Sequence, residues 1–273
     1  MNLGGLKKKL EDTLEELRKK MEVATKLEEI LSNECTLVQN LNNLEASLEK
    51  LLSYLDNEEL IYTERTNKVA QEYSELELQY EQLSTRIDIK PTDNYDIILS
   101  TLSQYLDDLK EIIRKVNECM KKLQKIIDDI KDYIKEEFSK IRDTITTATE
   151  KGMLDLATKE HLFDELKSEE EKALISVDNL QGTFKEQVLD LISGIRKKVY
   201  TEIIKRLGKK KAVIWLTILQ IFKESKEKQI EIKQLIGYLS SYPEINKNFT
   251  SEEIKKTIND LIEDGFIRVY VTC

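Results

Sequence analysis

The sequence predicts a mainly α-helical protein: a long antiparallel coiled-coil hairpin, a third helix returning along it, and a small α+β domain at the C-terminal end. Three observations predict this. Between Leu6 and Lys151 there is no glycine and a single proline, Pro91. On both sides of that proline, apolar residues recur at alternating steps of three and four, the spacing of a heptad seam. Of the 273 residues, 35% are charged and 7% aromatic, with 8 Gly and 2 Pro, a composition that suits long helices better than a compact α/β enzyme.

The first arm carries its clearest register at Leu37, Leu41, Leu44, Leu48, Leu51 and Leu55. Upstream, Leu10, Leu14, Leu17, Met21, Ala24, Leu31, Cys35 and Val38 continue the pattern, interrupted by Glu28. Downstream, a slip near Asp56–Glu59 leads to Tyr62, Val69, Leu76 and Leu83 with the partner series Tyr73, Tyr80 and Ile87. Both crossings between registers read as stutters or stammers within one helix. The first turns set leucines beside Lys7, Lys8, Lys9, Arg18, Lys19 and Lys20. A membrane-surface helix would look similar, but Glu11, Asp12, Glu15 and Glu16 sit among those lysines, and the end of a coiled coil is the expected reading.

The turn falls at 89–94. Pro91 disfavours helix at Lys90, and Thr92 or Asp93 can cap the next helix. The second arm then runs through Leu102, Leu106, Leu109, Ile113, Val116, Met120, Leu123, Ile127, Ile130 and Ile134, and on through Phe138, Ile141, Ile145 and Ala148. Gly152 suits the residue after its end. Two long helices joined by a tight turn form a hairpin, in which residues 69 and 112 are expected to face each other.

Thr158 can cap a third helix. Ser168 with Glu171 fits a capping box, so a break is expected near Lys167. Val177, Leu180, Phe184, Val188, Leu191, Ile195, Val199, Ile203 and Leu207 then form one stripe. Gly182 and Gly194 within it would mark a bend or a close helix contact. The last turns are basic: Arg196, Lys197, Lys198, Lys205, Arg206, Lys209, Lys210 and Lys211 face one acid, Glu202. Such a collar is either a solvated face or a phosphate contact.

The rod is read as residues 1–207 and the C-terminal domain as 208–273, with Gly208 at the boundary. Within the domain, Lys211–Glu224 reads as a buried helix holding the only tryptophan, Trp215, and Gln229–Ile232 as a short alternating strand. Lys233–Ser241 reads as a second helix that Pro243 breaks. Thr250–Glu253 is a capping box opening a third helix, and Phe266–Val271 a final strand. This order, with the Gln-Ile-Glu-Ile strand and the run Ile258-Asn259-Asp260-Leu261-Ile262-Glu263-Asp264-Gly265-Phe266-Ile267, resembles the winged-helix superfamily. The resemblance covers residues 209–273 and points to no particular family within it. It implies a third helix that enters the DNA major groove, with Lys255, Lys256 and Asn259 outward and Arg268 on the wing.

The charge is uneven. Residues 1–195 carry −15 and residues 196–273 carry +6, together the chain's −9. An acidic rod opposes non-specific nucleic-acid binding along its length. Cys35, Cys119 and Cys273 are far apart and form no CxxC, so neither a zinc site nor a disulfide framework is expected; Cys35 reads as a small buried hydrophobe. The lone histidine, His161, lacks a second imidazole or thiolate for a metal. There is no phosphate loop, no catalytic carboxylate pair and no nucleophile–histidine arrangement. The expected protein is therefore non-enzymatic, without cofactor or transmembrane segment, cytoplasmic and oligomeric, self-associating or meeting a helical protein partner through the rod, where Leu10, Leu14, Leu17 and Met21 overhang the second arm. Two functions fit. In the first, duplex DNA binds the C-terminal domain and collar, as in transcription or chromosome organisation. In the second, the chain is a scaffold or adaptor docking a protein partner, as in cell division or membrane remodelling.

Overall fold

The computed structural model describes residues 3–56, 60–86, 94–225 and 230–267. The expected turn at 89–94 thus lies, apart from Asn94, outside the described residues. The described helices are α1 (Leu3–Leu55), α2 (Leu60–Ser84), α3 (Tyr95–Glu150), α4 (Leu156–Asn179), α5 (Asp190–Leu207), α6 (Lys209–Ser225), α7 (Ile232–Ser241), α8 (Pro243–Asn248) and α9 (Ser251–Glu263), with a π-helical turn at Lys185–Leu189 before α5. The chain divides into two units. The first takes residues 1–130 with 177–185, and the second takes 131–176 with 186–273.

The first unit corrects the two-helix hairpin. The expected slip at Asp56–Glu59 is a break between helices: α1 stops at Leu55, Asp56 turns left-handed at φ 44°, and α2 begins at Leu60. Aspartate tolerates that conformation better than most residues. The chain reverses here, so α2 packs back along α1, bringing Tyr80 beside Cys35. Three helices then share one bundle. α3 runs antiparallel to α2, with Glu72 to Lys122 at 2.6 Å and Arg65 to Asp129 at 2.7 Å. It runs parallel to α1, with Lys19 to Asp96 at 3.0 Å, Glu29 to Lys110 at 2.7 Å and Asn40 to Asn117 at 3.4 Å. Residue 69 accordingly lies level with residues near 124 and not with 112, an offset of about 18 Å along the helix. Asn94 supplies the α3 cap, its side chain accepting from the Asp96 amide at 3.1 Å.

Having two neighbours widens each buried stripe. On α3, Tyr105, Ile112, Cys119 and Ile126 are buried along with Leu102, Leu106, Leu109, Val116 and Leu123. The Tyr105 hydroxyl donates to the Glu34 carboxylate, and burial raises its pKa. The Cys119 thiol donates to Glu72 at 3.4 Å, and burial, then that bond, pushes its pKa up to about 11. At the end of this core, Phe184 is fully buried and stands edge-on to Tyr54 and Tyr62, with ring centroids 6.0 and 6.4 Å apart.

α1 carries two apolar stripes. The inner one, Ile30, Leu37, Leu41, Leu44, Leu48 and Leu51, is buried. The outer one, Leu10, Leu14, Leu17, Met21, Leu31 and Val38, is exposed, and Cys35 is exposed with it. The expectation of a buried Cys35 is thereby corrected. Met21 is two residues from Lys19, which reaches α3, and so points about 160° away from it.

In the second unit, α3 ends in a Schellman turn. Gly152 takes φ 71°, and the Met153 amide returns to the Ala148 carbonyl at 2.8 Å. The Asp155 carboxylate, not Thr158, caps α4, accepting from the Thr158 amide at 2.7 Å. That bond holds the Asp155 carboxyl below its ordinary pKa. No break occurs near Lys167. The helix stops only after Asn179, where Leu180 and Gly182 take φ 48° and 78°. Gly194 makes no close contact, since a Cβ there would meet nothing within 4 Å. Arg142 of α3 pairs with Glu170 of α4 at 2.8 Å, and α5 lies against both helices.

α6 to α9 close the second unit. α6 buries Ala212, Ile214, Trp215, Ile218 and Ile221, α7 buries Leu235 and Leu239, and α9 buries Ile254, Ile258 and Leu261. The expected α+β winged-helix domain is not present: among the described residues there is no strand. Ile232, read as the end of a strand, opens α7, because Ile232, Leu235 and Leu239 repeat at helical spacing. Phe266 and Ile267 form a bend after α9, and 268–271 lie outside the described residues. Ile230 and Glu231 take no strand pairing among the described residues.

Candidate functional site

The basic collar sits where α5 gives way to α6. Gly208, at φ 78°, donates its amide to Ile204 at 2.8 Å and starts the new helix. Of the eight expected collar cations, five are ion-paired with carboxylates of the same unit. Arg196 and Lys198 are paired with Glu137 and Glu165. Lys205 pairs with Glu202 at 2.6 Å, Lys210 with Glu253 at 2.7 Å, and Lys211 with Asp264 at 2.7 Å and Asp260 at 3.9 Å. Lys197 and Lys209 are exposed and lack an ion pair among the described residues. Arg206 is exposed and close enough to Asp155 to lower its pKa.

On α9, Lys255, Lys256 and Asn259 are exposed along one side, and Arg268 lies outside the described residues. The acids of the same helix offset those lysines. Thr250 and Glu253 complete the capping box, with the Glu253 amide donating to Thr250 Oγ1 at 3.2 Å and the Thr250 amide donating back to Glu253 at 2.9 Å. Lys210, and then the Thr250 amide, pull the Glu253 carboxyl down to about 2. Folding depresses this group, so its contribution is complete above its ordinary 4.5 and fades as pH falls toward about 2. A Glu253→Gln variant is expected to melt below the parent at neutral pH, with the two melting curves converging near pH 2. Thr250→Ala should cost about 1 kcal/mol at either pH. Thermal unfolding followed by circular dichroism checks both.

A groove of about 330 Å³ opens among α3, α5 and α6 of the same unit. Ile141 and Val199 form its floor and Tyr200, Leu216 and Leu219 its apolar wall. Glu137, only 9% exposed, is held there by Lys140 at 2.7 Å and by Arg196. Glu224 accepts from the Tyr242 hydroxyl at 2.7 Å. These carboxylates are occupied by structural partners, and the lining Thr144 hydroxyl donates to the Lys140 carbonyl at 2.9 Å. Sequence reading missed the groove because its walls come from segments far apart in the chain.

His161 is exposed beside Glu165 and Glu202 in a shallow depression. No group of three metal-ligating side chains occurs among the described residues. No described helix is long and apolar enough to cross a membrane. Among the described residues the outer stripe of α1 stays exposed from Leu10 to Leu31; the sequence displays Leu10, Leu14, Leu17 and Met21 as a seam unmatched by the second arm. No known protein family, characterised protein or solved structure matches the chain.

Proposed function

We propose that this chain is a non-catalytic helical scaffold that assembles with protein through the outer stripe of α1. The observation that carries this reading is the exposure of Leu10, Leu14, Leu17, Met21 and Leu31 in one heptad register. An apolar run of that length exposed to water marks an interaction surface. The DNA-associated alternative is weaker, because five collar cations, Arg196, Lys198, Lys205, Lys210 and Lys211, already serve carboxylates of their own unit.

Two measurements test the proposal. In extracts of its native host, the chain should sediment well above its own 31.9 kDa, and a Leu14→Glu, Leu17→Glu variant should return to that mass. Purified chain titrated into labelled duplex DNA at ~50 mM salt, where electrostatic attraction is strong, should leave the anisotropy unchanged. Sedimentation at the mass of a single chain, together with duplex binding that weakens steeply with salt and on changing Lys197, Arg206 and Lys209 to alanine, would replace the scaffold with the DNA reading.

A further inference from the structure

The occupant of the outer stripe can be inferred from its charges. We propose that it is a second copy of this chain, lying antiparallel, with the two-fold axis passing between Leu14 and Leu17. This identifies the partner and rests on the scaffold reading above.

The stripe needs a partner. From Leu6 to Arg18, α1 is exposed on every side, because α3 begins beside Lys19. An isolated helix of this length is marginal in water, and this one holds Leu10 at 66% and Met21 at 71% exposure. The inner stripe already meets α2 and α3, so the outer one is free to meet something else without rearrangement.

The register is that of a two-helix seam. Leu10, Leu17, Ala24 and Leu31 take the d positions, and Lys7, Leu14, Met21 and Glu28 take the a positions, Lys7 facing the small Ala24 when the pair is antiparallel and its own copy when it is parallel. The flanking positions are Glu11, Arg18 and Thr25 on one side, and Leu6, Thr13, Lys20 and Leu27 on the other.

Orientation follows from these identities. A parallel, in-register pair places Glu28 against its own copy inside the seam. Its flanking contacts would be Leu6 with Glu11, Thr13 with Arg18 and Lys20 with Thr25, none of them an opposite-charge pair. The antiparallel arrangement sets Leu14 against the second copy's Leu17, and Leu10 against its Met21. It brings Glu11 of each copy beside Arg18 of the other, two ion pairs related by the axis. Glu28 moves to the end of the overlap, away from its equivalent. Arg18 makes no ion pair among the described residues, and Glu11 pairs there only with Lys7, at 3.9 Å, so both are available.

The test uses the full purified chain with Cys35 and Cys273 changed to serine. Leu10→Cys chains and isotope-labelled Met21→Cys chains are mixed, oxidised and examined by mass spectrometry. The mixed 10–21 disulfide should dominate, whereas a parallel pair gives only 10–10 and 21–21 disulfides. Sedimentation equilibrium should show Glu11→Arg and Arg18→Glu each weakening self-association about tenfold, and the combined exchange restoring it. Unchanged helicity by circular dichroism confirms that the variants fold. Dominant 10–10 and 21–21 products, or a monomer up to ~100 μM, overturn the proposal. If the purified chain is monomeric but the extract complex persists and still depends on Leu14 and Leu17, the scaffold reading survives with another protein on the stripe. If both vanish, the scaffold reading fails as well.

Discussion

Changing Phe184 to alanine should destabilise the first unit by about 3–5 kcal/mol. The ring is fully buried and contacts Tyr54 and Tyr62 edge-on. Its loss removes both aromatic contacts and leaves a cavity at the point where α1 ends and α2 begins. Those chain ends cannot collapse freely, because Leu51, Tyr54 and Leu55 are themselves packed in the core. Phe184→Leu keeps most of the volume and should cost roughly half as much or less. Denaturant unfolding followed by circular dichroism separates the cases, and a loss below about 1 kcal/mol for the alanine variant would show that the ring is not an anchor.

Trp215→Ala should have a comparable effect on the second unit, again about 3–5 kcal/mol. Trp215 is 2% exposed on α6, the helix that α7 and α9 both pack against. Removing it withdraws the largest side chain from that cluster, so α6 to α9 should gain amide exchange while α1 and α2 keep theirs. Hydrogen exchange read by mass spectrometry resolves this by segment. Exchange that rises equally in α1 would mean that the two units unfold as one. Because Trp215 is the only tryptophan, its emission in the parent also reports this unit alone.

The helical character of the first unit was legible because its apolar residues keep a three-four spacing on both sides of each interruption, and the α9 cap because its four residues are contiguous. Partner identity was less legible. A heptad pattern says that a stripe exists but not what covers it: Leu10 to Met21 read as an overhang unmatched by the second arm, while Leu31, Cys35 and Val38 read as running on into the inner residues Leu37 to Leu55. They lie on different faces of one helix. The reversal at Asp56 was hidden for a related reason: a four-residue break without glycine or proline shifts a register much as a stutter does. The mistaken α4 break came from Ser168 and Glu171, whose capping potential is unused inside a continuous helix, while the real turn uses Leu180 and Gly182. The strand expected to end at Ile232 gives way to helix because Ile232 satisfies both periods and the helical one continues through Leu239. The collar was visible as a cluster of cations, but Glu137 is 59 residues from Arg196, Glu165 is 33 from Lys198, and Asp264 is 53 from Lys211. A local charge count cannot see such counterions.

The parallel pairing of α1 with α3 also sets an order of events during folding. The α1–α2 and α2–α3 pairs can zip outward from the links that join them, each new contact closing only a little more chain. The α1–α3 pair cannot zip in this way: its contacts join residues 71 to 81 positions apart along its whole length. Each of them carries the full entropy of a long loop unless α2 has already folded that loop away. Refolding of the first unit is therefore paced by the two reversals, with α3 settling laterally against α1 afterwards. Changes at Lys19, Glu29 or Asn40 then act mainly on the rate at which the bundle opens, and changes at the Asp56 reversal on the rate at which it forms.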